Sequence, residues 1–381
     1  MSLLIHGLGT AKPPHALPQH SMAAAALPCS CATDQQRKLL PALYRRTRVE
    51  SRHSVVVNAH NGHASLSPDE RMLAFYPPAE DDTDRGPTIS QRLQRYPEEA
   101  RPLATEACRA ALDDAGVAPA EVGQLVAVSC TGFSAPGVDI GLIDDLGLPP
   151  TVGRTMVGFM GCHGAMNGLR VARALGDSLN RGNQYVLMCC VELCTLHFQY
   201  GWDPQKVVAN ALFADGAAAV VGRAQPDVSD SYSENYPKVA AHGSCLLPDS
   251  RDMMTWIIRD HGFEMTLSPK VPDLIHRHLR AWIEPWLAER ELTLNDIQGW
   301  AIHPGGPRVI TAVEEALELP LLPGAGARAG DHSRAVLRES GNMSSPTVLF
   351  ILDRLRQHET LRPWVALAFG PGLTIEATLI V

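Results

Sequence analysis

Both halves of the chain alternate short apolar runs with longer amphipathic ones, and this constrains the fold more than any other feature. Ser2 to Gly9, Gln124 to Ser129, Tyr185 to Val191 and Ala217 to Val221 are apolar runs of strand length. Between them, Pro102–Gly116, Val138–Leu146 and Met166–Leu179 carry apolar residues at helical spacing, the first with Pro at its start and Gly at its end. The second half returns to this pattern. Helices are predicted at Val271–Glu289, Arg308–Leu317 and Ser345–Gln357, and strands at Gly299–His303, Trp364–Phe369 and Leu373–Val381. Strands alternating with helices in both halves predict an α/β protein with two related sheets. A Pro-, Ser- and Asp-rich stretch at 225–237 marks the internal boundary, giving halves 1–224 and 225–381. Residues 33–52 read as a basic amphipathic segment, and 58–90 as a long polar loop.

Composition narrows the function. A net charge of −8 over 381 residues argues against nucleic acid or an anionic membrane as the main partner. An anionic ligand must then be met by a local basic cluster. The nine cysteines show no framework spacing, and several sit in apolar runs, which predicts free thiols in a reducing cytoplasm. No secretory leader and no apolar run of membrane-spanning length is recognised, so no membrane insertion is expected.

Three Gly-rich segments carry the chemistry. Cys162 sits in Gly-Phe-Met-Gly-Cys-His-Gly-Ala (158–165), just ahead of an amphipathic run. A thiol at a helix start feels unpaired N–H groups and the positive end of the helix dipole, which lower its pKa. His303 ends an apolar strand and precedes Pro-Gly-Gly-Pro, and Asn342 lies in Ser-Gly-Asn-Met-Ser-Ser-Pro. Separately, these residues also fit a packed core thiol, a satisfied structural histidine and a helix N-cap. Together they predict a thioester enzyme working through a covalent intermediate.

Gly161-Cys162-His163-Gly164-Ala165, Leu212-Phe213-Ala214-Asp215-Gly216, His303-Pro304-Gly305-Gly306-Pro307, Gly341-Asn342-Met343-Ser344-Ser345 and Phe369-Gly370-Pro371-Gly372-Leu373-Thr374 occur in this order. With them the chain resembles the type III polyketide synthases, the chalcone synthase-like family, over nearly its whole length. A Cys-His-Asn set alone also fits a ketoacyl-carrier-protein synthase III, but the Phe-Gly-Pro-Gly-Leu-Thr and Asn-Met-Ser-Ser wording points away from it. A non-catalytic thiolase-fold binding protein is the rival from another class, and the intact Cys, His and Asn argue against it.

The resemblance implies a thiolase fold of five αβαβα layers, a homodimer, and acyl-CoA starter and malonyl-CoA as substrates, with no metal or other cofactor. It implies Cys162 as acyl-carrying nucleophile, with His303 and Asn342 as decarboxylation and oxyanion donors. An imidazolium at His303 is expected to help hold the thiolate. Pocket positions implied are Phe213, Met265, Cys194, His197, Trp256, Glu192 and Ser344. Trp256 stands where the plant enzymes have Gly, Met265 where they have a second gatekeeper Phe, and Ala135 where they have a Met that crosses the dimer interface. These departures resemble bacterial alkylresorcinol and alkylpyrone synthases, which take fatty acyl starters; a chalcone/stilbene-type or malonyl-only synthase is the alternative. Arg45, Arg46, Arg48, Arg52 and Arg308 are the expected CoA-binding cluster. His53, His60 and His63 read as surface residues, Cys29-Ser-Cys31 lacks a second zinc pair, and Gly7-Leu-Gly9 does not continue as a dinucleotide fingerprint.

Overall fold

The apolar runs become the strands of one large mixed sheet. A computed structural model describes residues 2–58, 65–178, 184–225, 236–319 and 328–381. Its strands are β1 (Ser2–Ala11), β2 (Ala16–Pro18), β3 (Ser51–His53), β4 (Val122–Ser129), β5 (Gly153–Gly158), β6 (Tyr185–Leu193), β7 (Asp215–Gln225), β8 (Lys238–Leu246), β9 (Met254–Arg259), β10 (Gly262–Leu267), β11 (Gly299–Ile302), β12 (Trp364–Gly370) and β13 (Thr374–Ile380). Nine of them run in the order β11-β12-β13-β8-β1-β7-β6-β4-β5. Within the sheet the two parts join where Leu3 lies against Val239 and Leu4 against Lys238. The expected pair of sheets is thus joined along β1 and β8.

Helices fill three layers around these strands. Gly164–Ser178 and Pro346–Gln357, one from each half, lie between the two parts of the sheet, where Met166, Leu169, Val348 and Ile351 pack on Val126, Val220 and Ala366. Ile89–Ala115 covers the outer face of β1, β6 and β7. Val271–Ala288 and Pro307–Leu317 cover the outer face of the second half through Ile275, Leu279, Ile310 and Val313. The result is αβαβα, five layers built from two related halves. Gly7 and Gly9 serve this packing: a Cβ on Gly9 would stand 2.3 Å from the Ala107 carbonyl oxygen. Their role is close helix approach to β1.

Several local expectations change. The helix expected from Pro102 begins at Ile89 and keeps both Pro97 and Pro102 inside it. Thr88 and Gln91 form a capping box, and burial of Arg92, Tyr96, Ala100 and Leu103 outweighs the backbone hydrogen bonds that the prolines forfeit. The polar stretch 58–90 holds a helix, Pro68–Phe75, capped reciprocally by Ser67 and Glu70. Gln19–Ser30 is also helical, and β5, β8 and the β9–β10 hairpin were not foreseen. His60, His63 and most of the 225–237 boundary lie outside the described residues, while His53 is half-buried with its Nδ1 on the Pro13 carbonyl. No helix among the described residues is long and apolar enough to cross a membrane.

Candidate active site

Cys162 occupies a tight turn, Gly161–His163, that leads directly into the central helix Gly164–Ser178. Gly161 takes φ +73°, and a Cβ there would meet Pro371 Cδ at 2.5 Å. Glycine is therefore required twice over, by backbone conformation and by contact with the 370–372 turn. The thiol is 5% exposed, and the Ser344 hydroxyl stands 3.7 Å from its sulfur.

Asn342 is fixed by backbone bonds on both sides. Its N–H donates to the Leu212 carbonyl at 2.9 Å, and its own carbonyl accepts from Ala214 N–H at 2.9 Å. Ser344 N–H donates to Asn342 Oδ1 at 2.8 Å, which turns the amide nitrogen toward the remaining space. Asn342 thus caps no helix. Ser344 itself sits at φ +57°, a left-handed conformation that a non-glycine residue holds only when its surroundings impose it.

His303 follows the last residue of β11, its N–H bonded to the Leu367 carbonyl at 2.8 Å. The side chain is fully buried, and neither ring nitrogen has a hydrogen-bond partner. No hydrogen bond joins it to Cys162. Burial, with His163 nearby, pushes its pKa down to about 3. Burial pushes the Cys162 thiol up to about 11, opposed by the Ser344 hydroxyl and the Asn342 amide and reinforced by the Glu192 carboxylate. The expected resting imidazolium is therefore corrected: desolvation favours a neutral imidazole and a thiol. The two unpaired ring nitrogens are left to take a proton or meet a substrate oxygen.

The pocket beside the thiol is lined by Cys130, Thr131, Cys194, Phe213, Met254, Trp256, Met265 and Ser344. Its free volume, about 20 Å³, admits about one water. Cys194, Phe213, Trp256 and Met265 form a common wall with a second cavity of about 40 Å³, which reaches His197, Phe263, Met72, Tyr76 and Met22. Trp256 and Met265 are directly paired across the β9–β10 hairpin. Trp256 Nε1–H donates to the Cys130 carbonyl at 2.7 Å. His197 accepts from Phe263 N–H through Nδ1 at 3.1 Å, so its Nε2–H donates to the Thr131 carbonyl at 2.6 Å. Burial holds this imidazole neutral, with its pKa pushed down to about 3. His197 braces the wall, stacked on Phe263 at 4.1 Å.

Glu192 is fully buried and accepts from Thr131 Oγ1 and Ser345 Oγ at 2.7 Å each, and from Cys130 N–H at 3.0 Å. Burial raises its pKa. Cys130 was missed by the sequence reading. Its sulfur lies 3.2 Å from Glu192 Oε1 and 3.5 Å from Ser344 Oγ, so Ser344 touches two thiols.

A separate groove of about 460 Å³ runs past Gly305 and Gly306, just beyond His303, between Arg46 with Thr47, Leu267–Pro272, and Arg308. Arg46 and Arg308 line it, whereas Arg45 and Arg48 are exposed away from its lining. Arg308 pairs with Asp273 at 3.4 Å, both well exposed. Arg52 requires correction: it is 1% exposed, and its guanidinium donates to the carbonyls of Asn210 and Phe213 at 2.7 Å and of Ala211 at 2.8 Å. It holds up the Phe213 segment from beneath and cannot reach a ligand in the groove.

His163 is the other residue sequence reasoning passed over. A polar stripe at 163, 167 and 170 on an otherwise apolar helix was its only signal.

A buried thiol, a buried unpaired imidazole and an oriented amide, gathered where two αβ halves meet, describe a site for acyl transfer. The chain matches the chalcone and stilbene synthases, their N-terminal domain over residues 2–226 and their C-terminal domain over 239–381. It is 32% identical over 354 residues to "Alpha-pyrone synthesis polyketide synthase-like Pks18" of Mycobacterium tuberculosis, covering 90% of this chain and 82% of that one. It is 37% identical over 281 residues to a 1,3,6,8-tetrahydroxynaphthalene synthase of Streptomyces peucetius subsp. caesius, covering 73% and 72%. The crystal structure of PKS-I from the brown alga Ectocarpus siliculosus superposes with a TM-score of 0.86 at 29% identity, over 100% of this chain and 98% of that one. The chain belongs to the chalcone and stilbene synthase family: it is a type III polyketide synthase, an acyltransferase with the thiolase fold.

Proposed function

We propose that this synthase loads an alkyl acyl-CoA onto Cys162, extends it with malonyl-CoA and closes the product to an alkylpyrone or alkylresorcinol. The carrying observation is the second cavity behind Cys194, Phe213, Trp256 and Met265. It is apolar, Met-rich and continuous in its wall with the nucleophile's pocket. It is also nearly filled, so an acyl chain enters by rotation of Met265, whose three torsions make it the adaptable part of that wall. The relative named for α-pyrone synthesis supports the same reading.

The chemistry follows from the donors. Cys162 loses its proton to His303 and attacks the starter thioester carbonyl; CoA leaves as the thiolate and takes up that proton. Malonyl-CoA in the groove loses CO₂, and the bond's electron pair becomes an enolate whose oxygen is held by the His303 ring N–H and the Asn342 amide. The enolate carbon attacks the Cys162-bound carbonyl and expels the Cys162 thiolate. One missing donor of this kind costs about 10²–10³ in rate. These steps need only CoA thioesters and no metal. Arg46 and Arg308 would meet the CoA phosphates.

A homodimer in the cytoplasm completes the proposal. β5 is one of the two edge strands of the sheet, and Met156, Phe159, Met160 and, nearby in sequence to Ala135, Phe133 are exposed apolar residues. Such a patch on an open edge suits a second copy of the chain.

The test is incubation of purified protein with malonyl-CoA and a panel of C6–C18 alkyl and aromatic acyl-CoAs, with products identified by mass. Alkyl-primed tri- and tetraketides are expected. Products from malonyl-CoA alone, or from aromatic starters only, would overturn the alkyl reading.

A further inference from the structure

The second cavity behind the nucleophile's pocket has a wall whose long polar side chains are tied in place. Tyr76 donates its hydroxyl to the Thr195 carbonyl at 2.8 Å and accepts from the Arg92 guanidinium at 3.0 Å. Asn210 accepts from the Gln199 N–H at 3.0 Å and donates to the Gln199 carbonyl at 2.8 Å. Gln199 Nε2 donates in turn to the carbonyls of His197 and Phe263, at 3.0 and 3.1 Å. Lys206 pairs with Glu264 at 3.3 Å. Arg52 and His197 are fixed by their own bonds to backbone carbonyls. The long side chains that remain are aromatic rings and three methionines, Met22, Met72 and Met265. Rings are rigid, so the methionines are where this wall can change shape.

The three are not equivalent. Met265 borders both cavities, whereas Met22 and Met72 line only the second, beyond the wall it shares with the Cys162 pocket. Met22 belongs to the helix Gln19–Ser30, which also buries Ala23, Ala26 and Cys29. Moving it disturbs a packed core. Met72 is the one buried residue of the helix Pro68–Phe75. The rest of that helix is attached at its rim, by Arg71 donating to the Val57 carbonyl at 2.9 Å and by Phe75 under the Arg95 guanidinium at 5.5 Å. Met72 can therefore swing aside with little loss of other contacts.

We infer that Met72 sets the longest acyl starter this synthase accepts, its thioether turning away as the alkyl tail fills the second cavity. The inference rests on the alkyl-starter reading and adds the residue that measures the chain. A tail that has passed Met265 gains with each methylene it removes from water, until it meets a group that cannot move. Met72 delays that point, and the tied side chains around it impose it.

The test needs only the loading step. Acylation of Cys162 by C6–C18 alkyl-CoAs and an aromatic acyl-CoA, without malonyl-CoA, is timed by intact-protein mass in the parent, Met72→Ala, Met72→Phe and Ser67→Ala. Met72→Ala vacates space for about three methylenes and should move the cut-off to starters about two carbons longer. The first starter that the parent rejects should then load about tenfold faster or more. Met72→Phe puts a rigid ring in the same place and should shorten the cut-off by about two carbons. Ser67→Ala removes the helix's cap without touching the wall and should keep the parent's cut-off. An equal change at every length, an unmoved cut-off in the Met72 variants, or the Met72→Ala shift reproduced by Ser67→Ala overturns the inference. Should Met72→Ala fail to fold, Met72→Phe still decides. A parent that loads only the aromatic starter overturns the alkyl reading and this inference with it. A parent that loads alkyl starters while both Met72 variants keep its cut-off overturns the Met72 assignment alone.

Discussion

Trp256 and Met265 occupy directly paired positions on β9 and β10, and both side chains face the cavity that begins at Cys162. The pairing couples a rigid residue to a flexible one. Trp256 is pinned by its bond to the Cys130 carbonyl and by edge contacts to His197 at 5.7 Å and Phe263 at 5.6 Å. Met265 has no such tether.

Trp256→Gly should therefore merge the two cavities behind the thiol. The expected result is acceptance of bulkier starters or an additional extension, read as a mass shift in the products. The lost indole bond leaves the Cys130 carbonyl unpaired, so a stability loss of about 1–3 kcal/mol should accompany it. An unchanged product profile would count against this geometry.

Cys162→Ala removes the proposed acyl acceptor but leaves His303 and Asn342 in place. Acyl-enzyme should disappear from the intact-protein mass spectrum, while slow conversion of malonyl-CoA to acetyl-CoA persists. Full chain extension by this variant is the outcome that would sink the nucleophile assignment.

Acid should destabilise the fold through its buried histidines. His242 is held neutral by burial and by Arg170 and Arg173, its pKa pushed down to about 3. The unfolded chain binds this proton near the ordinary value of about 6.5, the folded one only near 3. Stability is therefore lost as pH falls from 6.5 toward 3. Buried Asp215, pushed up to about 7, slopes the other way, losing its contribution as pH rises from about 4 to 7. A comparison of parent and His242→Gln isolates the histidine. The variant's melting temperature should fall less between pH 7 and pH 4.5, by the equivalent of about one proton.

The candidate trio Cys162, His303 and Asn342 stood out in the sequence because backbone geometry marks two of its positions: Gly161 and Gly341 each take positive φ beside one of them, and only glycine does so freely. His303 could be read as a strand-end residue for the same reason, from the glycines after it. The burial of His163 was not legible, since it depends on Gly370, more than two hundred residues away, leaving room for the ring. The β9–β10 hairpin was also hidden. Its outward Ile257 and Ile258 are exposed, which spoils the alternation by which a strand is recognised. Pro102 misled because a proline usually starts a helix, and here tertiary burial carries the helix through it.

Arginine type carried no information about arginine role, and the basic cluster gives the sharpest contrast to test. Arg46 and Arg308 stand at the groove, exposed, with no more than a solvent-facing partner at Asp273. Replacing either by Ala should raise KM for malonyl-CoA several-fold at low salt, less at high salt, and leave Tm unchanged, since exposed pairs contribute about 0–1 kcal/mol. Arg52 behaves oppositely. Burial lowers its pKa to about 10, so it stays charged at neutral pH while it satisfies the carbonyls of Asn210, Ala211 and Phe213. Arg52→Ala strands those oxygens in the interior and should lower stability by about 3 kcal/mol or more. Thermal melts with and without CoA separate the two classes. If Arg52→Ala melted like the parent while binding CoA more weakly, the division drawn here between groove and scaffold arginines would be wrong.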